Sequence, residues 1–316
     1  MIEVEDLKKH YGPVRALDGL NLNVDPGTVF GFLGPNGAGK TTTIRILTGL
    51  ARPTNGRAWV AGAEIIADGR AVAPRALARR IGHLPEEPAF YPWMTPREFL
   101  DHVGRVFGLS ASERAARTKE LLDLVGLSEA SRRRIGGFSR GMRQRLGLAQ
   151  ALVNRPEVLF LDEPVSALDP VGRKEVLELV GKLRGQCTVL MSTHILADVE
   201  RVCDTIGIIA RGKMVTEAKQ EDLIARYAVP AFEVESVNGF GERLNGWAET
   251  LRKMSWVKTV TLDGLTARVI VNDVETAQRE LMASAVQAGL VLTRYEMVRP
   301  SLEDVFLRLV GEGGPA

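Results

Sequence analysis

The chain has 316 residues, 45% of them hydrophobic, with 41 basic against 39 acidic side chains and a formal net charge of +2. At about 100–200 residues per domain this length predicts two domains, and the near balance of charge excludes a global electrostatic attraction to nucleic acid or to an anionic membrane surface. Cys187 and Cys203 are too few for a disulfide framework and lack metal-like spacing, which suits a reducing compartment, and with no apolar run of about 18 residues and no basic-then-apolar start the chain is not expected to span a membrane.

In chain order, Ile2-Glu3-Val4 and Leu20 to Val24 alternate apolar and polar residues as half-buried strands do, with Asp25-Pro26-Gly27 as a turn, so an antiparallel flank is expected. Val29-Phe30-Gly31-Phe32-Leu33 reads as a buried strand and Thr42 to Leu47 as the start of a helix. Gly56 to Val60 is a further strand, followed by a turn-rich segment and a basic helical stretch through Arg79-Arg80. Ile81-Gly82-His83-Leu84 reads as a central strand stopped by Pro85-Glu86-Glu87-Pro88. Thr95-Pro96-Arg97-Glu98 is a helix start with a capping box. From there to about Asn154 the pattern is helical almost throughout, an all-helical insertion at about 88–156 between two halves of a sheet. Val158 to Leu161 is a continuous apolar run of the kind found in parallel strands covered on both faces. Next come a helix from Val171 to Arg184, a strand Thr188 to Thr193 ending at His194, a helix Ala197 to Cys203, and a strand Thr205 to Ile209 with a hairpin at Arg211-Gly212-Lys213.

Beyond about Lys219 the character changes. Strand Ala231 to Val237, helix Glu242 to Met254, strands Val257 to Leu262 and Ala267 to Val271, helix Val274 to Ala288 and strand Leu290 to Met297 give the β-α-β-β-α-β order of a ferredoxin-like domain, and a last helix follows Pro300 with Ser301 as its cap. The expected division is 1–218 for an α/β nucleotide-binding domain and 219–316 for an α+β accessory domain.

The chemistry concentrates in Gly34-Pro35-Asn36-Gly37-Ala38-Gly39-Lys40-Thr41-Thr42, which fits G-x-x-x-x-G-K-[ST] between a strand and a helix. The glycines at 34, 37 and 39 let backbone N–H groups converge on phosphate oxygens, the helix N-terminus adds partial positive charge, Lys40 can reach the outer phosphates and Thr41 can ligate Mg²⁺. Asp162-Glu163 ends a buried strand, the edge where α/β sheets place ligands, and two carboxylates beside a phosphate loop repel unless a cation is present. At Tyr11, stacking on a purine base and a partly exposed loop ring fit the spacing equally.

Phe138-Ser139-Arg140-Gly141-Met142-Arg143-Gln144 before the acid pair, Ser166-Ala167-Leu168-Asp169 after it, and His194 beyond the next strand complete an order that resembles the ATP-binding subunits of ABC transporters over residues 1 to 218. The ending Arg299-Pro300-Ser301-Leu302-Glu303-Asp304-Val305-Phe306-Leu307 is similar to the tail of the drug- and antibiotic-exporter branch. The resemblance implies a P-loop ATPase that dimerises, with a second copy or a paralogous subunit, around two Mg-ATP molecules and drives a separate membrane permease from the cytoplasmic face, in export. It implies roles as well: Tyr11 stacks on adenine; Asp162 holds Mg²⁺ with Thr41; Glu163 acts as general base; His194 contacts the γ-phosphate. Ser139 and Gly141 meet the nucleotide of the other chain, and Asp169 lies at the shared interface. A soluble relative acting on ribosomes or DNA is the alternative.

Two motifs depart from the family pattern. Arg140 and Met142 stand where Leu-Ser-Gly-Gly-Gln has glycine and glutamine, and Glu86 stands where a glutamine commonly approaches nucleotide and metal. Arg140 is compatible with a trans charge or with a solvent-facing side chain. Phe90-Tyr91-Pro92-Trp93-Met94 fits either a groove for a permease helix or internal packing. Arg132-Arg133-Arg134 reads as a solvated face rather than a lipid or nucleic-acid site.

Overall fold

The computed structural model describes residues 1–71, 77–166, 168–227 and 230–298. The N-terminal alternation becomes a long antiparallel pair, β1 (Ile2–Tyr11) and β2 (Val14–Val24), with Ile2 opposite Val24 and Tyr11 opposite Val14. Tyr11 therefore closes a strand instead of lying in a loop. The apolar pattern fades after Leu7, yet the ladder continues through polar residues, because backbone pairing does not require buried side chains on both faces. β4 (Asn55–Val60), β5 (Ala63–Ala67) and β6 (Arg70–Ala71) extend this sheet in the order β2-β1-β4-β5-β6. Of the basic stretch expected next, residues 72–76 lie outside the described residues, and Arg79-Arg80 form a turn.

A second sheet contains β3 (Val29–Leu33), β7 (Ile81–Leu84), β8 (Val158–Asp162), β9 (Thr188–Thr193), β10 (Thr205–Ala210) and β11 (Lys213–Lys219), in the order β11-β10-β3-β9-β8-β7. All neighbours are parallel except β11, which returns through a tight turn whose Arg211 and Gly212 have φ of 51° and 76°. β7, expected as a central strand, is the edge. It is as buried as a central strand because the helix Arg140–Ala151 covers it: a Cβ on Gly82 would stand 2.1 Å from the Ala151 carbonyl oxygen.

The phosphate-loop helix, Lys40–Leu47, packs between the two sheets. Its Ile44, Ile46 and Leu47 share one buried cluster with Ile2 and Leu20 from the first sheet and Phe30, Phe160 and Leu190 from the second. Each such side chain contributes about 1.5–3 kcal/mol by leaving water, so the loop ahead of this helix is anchored by the main core.

The insertion is less continuously helical than expected. Pro96–Val106, Ala111–Leu124 and Arg140–Ala151 are helices, separated by Gly108 and Gly126 at φ of 80° and 64° and by a short 3₁₀ turn at Ile135–Gly137. Thr95 and Glu98 form the expected capping box, and Ser110 with Glu113 forms a second.

The chain divides into two compact units, Met1–Gln220 and a second beginning at Glu221. In the second, β12 (Ala231–Ser236), β13 (Val257–Asp263), β14 (Thr266–Val271) and β15 (Leu292–Val298) form an antiparallel sheet of order β13-β14-β12-β15. The helices Gly241–Leu251 and Val274–Gln287 complete the ferredoxin-like plan. Phe232, Val234, Trp247, Leu251 and Leu281 form its separate core, and Trp247 Nε1 donates to Ser284 Oγ at 2.9 Å across the two helices. The tail helix expected after Pro300 lies outside the described residues.

Candidate active site

Three turns meet at the carboxyl edge of the second sheet: the phosphate loop after β3, Asp162-Glu163 at the end of β8, and His194 after β9, which runs between the other two. Gly34 N donates to the Thr193 carbonyl oxygen at 3.3 Å, tying the loop to the strand that ends at His194. Two of the loop glycines are required for different reasons. A Cβ on Gly34 would lie 2.4 Å from Ile209 O, so close approach to β10 demands glycine there. Gly39 has φ of +113° as the N-cap of the Lys40–Leu47 helix, a conformation that L side chains rarely adopt.

Lys40 is buried. Its Nζ donates to Gly34 O at 2.7 Å and Pro35 O at 3.3 Å, and stands 3.3 Å from Glu163 Oε1. The other Glu163 oxygen, Oε2, is 3.0 Å from His194 Nδ1. Lys40, Glu163 and His194, from three separate turns, thus form one connected set. Glu163 itself has φ of +47°, an uncommon conformation for a non-glycine, held where its N–H donates to Ser192 Oγ at 3.0 Å.

A second set lies beside the first. Asp162 Oδ1 accepts from Thr41 Oγ1 at 3.0 Å and from Ser192 Oγ at 2.7 Å. Ser192, fully buried, was not singled out from sequence; the signal available was the change from apolar to hydroxylic residues at the end of β9. Among the described residues no group of three or more His, Cys, Asp or Glu forms a metal cage. A hydroxyl beside a carboxylate is the partial oxygen set by which Mg²⁺ is usually bound, with phosphate and water supplying the rest, so Thr41 and Asp162 fit that ion.

A cleft of about 350 Å³ here is lined by Asn36, Gly37 and Gly39 to Thr42 of the phosphate loop, with Ala16, Glu86, Glu163 and His194. Pro35 is exposed beside it, while Gly34 and Ala38 are buried beneath the loop. Glu86 is exposed, and its Oε1 accepts from Ser166 Oγ at 3.3 Å, which joins the turn after β7 to the turn after β8. Within β7, burial holds His83 below the usual histidine range, with Asp162 opposing that shift and Arg45 adding to it.

Residues 17–166 match the family described as "ABC transporter", and residues 220–310 match "ATP-binding protein DrrA1-3-like, C-terminal domain". The chain is 41% identical to the ABC transporter ATP-binding protein YxlF of Bacillus subtilis, over 98% of this chain and 99% of that one. It belongs to the ABC transporter ATP-binding proteins. The bacitracin transport ATP-binding protein BcrA of Bacillus licheniformis is 36% identical over 99% of this chain and 98% of its own length. The dimeric ATP-binding cassette MJ0796, solved in a post-hydrolysis state with ADP and Pi, superposes with a TM-score of 0.62 at 25% identity, covering 69% of this chain and 98% of that one. The chain is accordingly an ATP-hydrolysing subunit of an ABC transporter.

In this ABC protein the remaining predicted residues do not line the cleft. Ser139 caps the helix Arg140–Ala151, accepting from Met142 N at 3.2 Å, and Ser139 and Arg140 are exposed. Arg140 Nη2 stands 3.8 Å from Glu87 Oε1, a loose pair on an open surface. Asp169 is exposed and caps the helix Pro170–Lys182. Tyr11 is 49% exposed, with Lys9 Nζ 4.6 Å from its ring centre. The aromatic cluster divides between its two readings. Phe90 packs edge-on against Phe99 at 5.1 Å, whereas Tyr91, 46% exposed, lines a groove of about 450 Å³ with Val106 and Phe107, and Trp93, 64% exposed, stacks on Tyr91 at 5.3 Å. Arg132, Arg133 and Arg134 are all exposed.

Proposed function

We propose that this subunit closes against a second ATPase subunit, its own copy or a paralogue, around two Mg-ATP molecules and drives a separate membrane permease in export. The convergence of Lys40, Glu163 and His194 in one cleft, with Thr41 and Asp162 beside them, carries the reading. Lys40 and the loop N–H groups bind the phosphates, Tyr11 stacks on the base, and Thr41 and Asp162 hold Mg²⁺. When bound, that ion neutralises charge on the phosphate oxygens. Glu163 takes a proton from the attacking water, and His194, hydrogen-bonded to Glu163, orients it against the γ-phosphate. Lys40 exchanges Glu163 for phosphate when ATP enters, which frees the carboxylate to act as base. Glu86 responds to metal and nucleotide from the turn after β7.

Ser139 and Gly141 present the N-terminus of their helix to the nucleotide of the facing subunit, and Asp169 meets that subunit between the two sites. ATP then holds the pair together because it contacts both chains, and cleavage removes those contacts; the difference in affinity between closed and open states performs the mechanical work. The groove lined by Tyr91, with Trp93 stacked on that ring, receives the permease, since exposed aromatic side chains are favoured at interfaces. No helix among the described residues is long and apolar enough to cross a membrane, which fits a separate permease and a subunit held to the membrane's inner face. A relative named for bacitracin transport and another named for Nod factor export support export as the direction. Relatives that align across both compact units favour a transporter subunit over a soluble ATPase acting on ribosomes or DNA.

Glu163→Gln tests this reading. The variant is expected to keep ATP binding by calorimetry, to lose about 10²–10⁴ in turnover, and to double in mass by light scattering when Mg-ATP is added. Unchanged turnover removes Glu163 from its role, and a monomer at saturating ATP overturns closure against its own copy.

A further inference from the structure

One half-buried ion pair joins two helices that begin just after the predicted site residues Asp169 and His194, and the cleft chemistry does not use it. Arg173 lies on the helix Pro170–Lys182, one turn after its cap Asp169; Arg173 N donates to Asp169 O at 2.9 Å and Gly172 N to Asp169 Oδ1 at 3.3 Å. Asp198 lies in the first turn of the helix Leu196–Val202, four residues after His194, with its side chain 1% exposed. Arg173 Nε donates to Asp198 Oδ1 at 2.6 Å. The same helices meet again at Arg201 and Glu178, 3.3 Å apart at the surface. Between Asp198 and His194 the chain has little slack: Asp198 N donates to Ile195 O, and Ile195 N to Thr193 Oγ1 at 3.0 Å.

The geometry points to Arg173–Asp198 as a positioning pair that links Asp169, where the facing subunit docks, to His194, which bonds Glu163. The inference rests on the proposed dimeric reading. Parting the Asp198 carboxyl, 1% exposed, from Arg173 costs its ion pair in the interior, where burial already disfavours its charge and, among the described residues, only the Thr193 hydroxyl remains to support it. A displacement of Asp169 on closure is therefore passed along a short rigid helix turn to Arg173, across the pair to Asp198, and back to His194. Arg173 and Asp198 touch neither nucleotide nor water in this scheme; they set where His194 stands.

Hydrogen exchange in the full chain carrying Glu163→Gln, with and without Mg-ATP, tests the link, alongside light scattering and calorimetry. Mg-ATP is expected to slow exchange of residues 195–202 in this parent. Adding Arg173→Met is expected to remove that slowing while the ATP-induced dimer persists and the Kd for ATP stays within about threefold. In the Glu163 background, Arg173→Met should lower kcat by about ten- to a hundredfold, the scale of a displaced catalytic group, and Arg173→Lys should recover part of the loss. Persistence of the ATP-dependent slowing in Arg173→Met overturns the link, as does a parent that dimerises without any slowing at 195–202. A parent that stays monomeric at saturating ATP overturns closure against its own copy, the form of the proposed function on which the link rests. Should Arg173→Met fail to fold, Asp198→Asn carries the same measurements with the side-chain volume preserved.

Discussion

Ser192→Ala isolates a residue that no sequence motif marked. The Ser192 hydroxyl donates to Asp162 Oδ1 at 2.7 Å and accepts from Glu163 N at 3.0 Å, and the residue is fully buried. Removing it deletes one bond to a carboxylate, worth about 1.5–3 kcal/mol, and strands a buried N–H at about 1–3 kcal/mol. The two losses share one atom and are not additive, so the expected destabilisation of the first compact unit is about 2–4 kcal/mol. Activity should fall further than stability implies. Glu163 keeps its φ of +47° partly through that bond, and a shift of its carboxylate by about 1 Å costs on the order of a hundredfold in rate. Urea unfolding gives the first quantity and steady-state ATP turnover of the folded variant gives the second. An unfolding free energy within about 0.5 kcal/mol of the parent, the ordinary range for an inconsequential substitution, together with unchanged kcat would refute the argument.

Two other outcomes follow from the same geometry. Gly34→Ala places a methyl group 2.4 Å from Ile209 O, a backbone atom that cannot swing aside, so the phosphate loop must move away from β10. ATP affinity should weaken at least about tenfold with a stability loss of about 1–3 kcal/mol, and unchanged affinity by calorimetry contradicts the packing role given to this glycine. His83 is held below its ordinary value of 6.5 by burial, so the unfolded chain takes up a proton at a pH where the folded chain resists it. Its contribution to stability is therefore complete above about pH 6.5 and declines as the pH falls below that value until the folded imidazole also protonates. His83→Gln should flatten the fall in urea midpoint between about pH 7.5 and 5.5, and parallel curves for the two proteins would sink the assignment.

The sequence by itself determined the phosphate loop, the acid pair after an apolar strand, the capping box at Thr95 and the β-α-β-β-α-β order of the second unit. These features are local: a glycine-rich turn, a run of buried residues or a capping side chain acts through neighbours within a few positions, so spacing alone reveals them. Tertiary structure decided the rest. β7 reads as central because Ile81 and Leu84 are buried, but a helix rather than a strand supplies that cover, and burial has the same signature in either case. Gly34 is fixed by Ile209, Asp162 and Glu163 are fixed by Ser192, and Asp198 meets Arg173, all partners that adjoin only because parallel strands bring distant turns to one edge. A side chain's type announces what it can bond. Which distant atom it meets depends on strand order, and that order is set by the packing of the two sheets around the helix Lys40–Leu47.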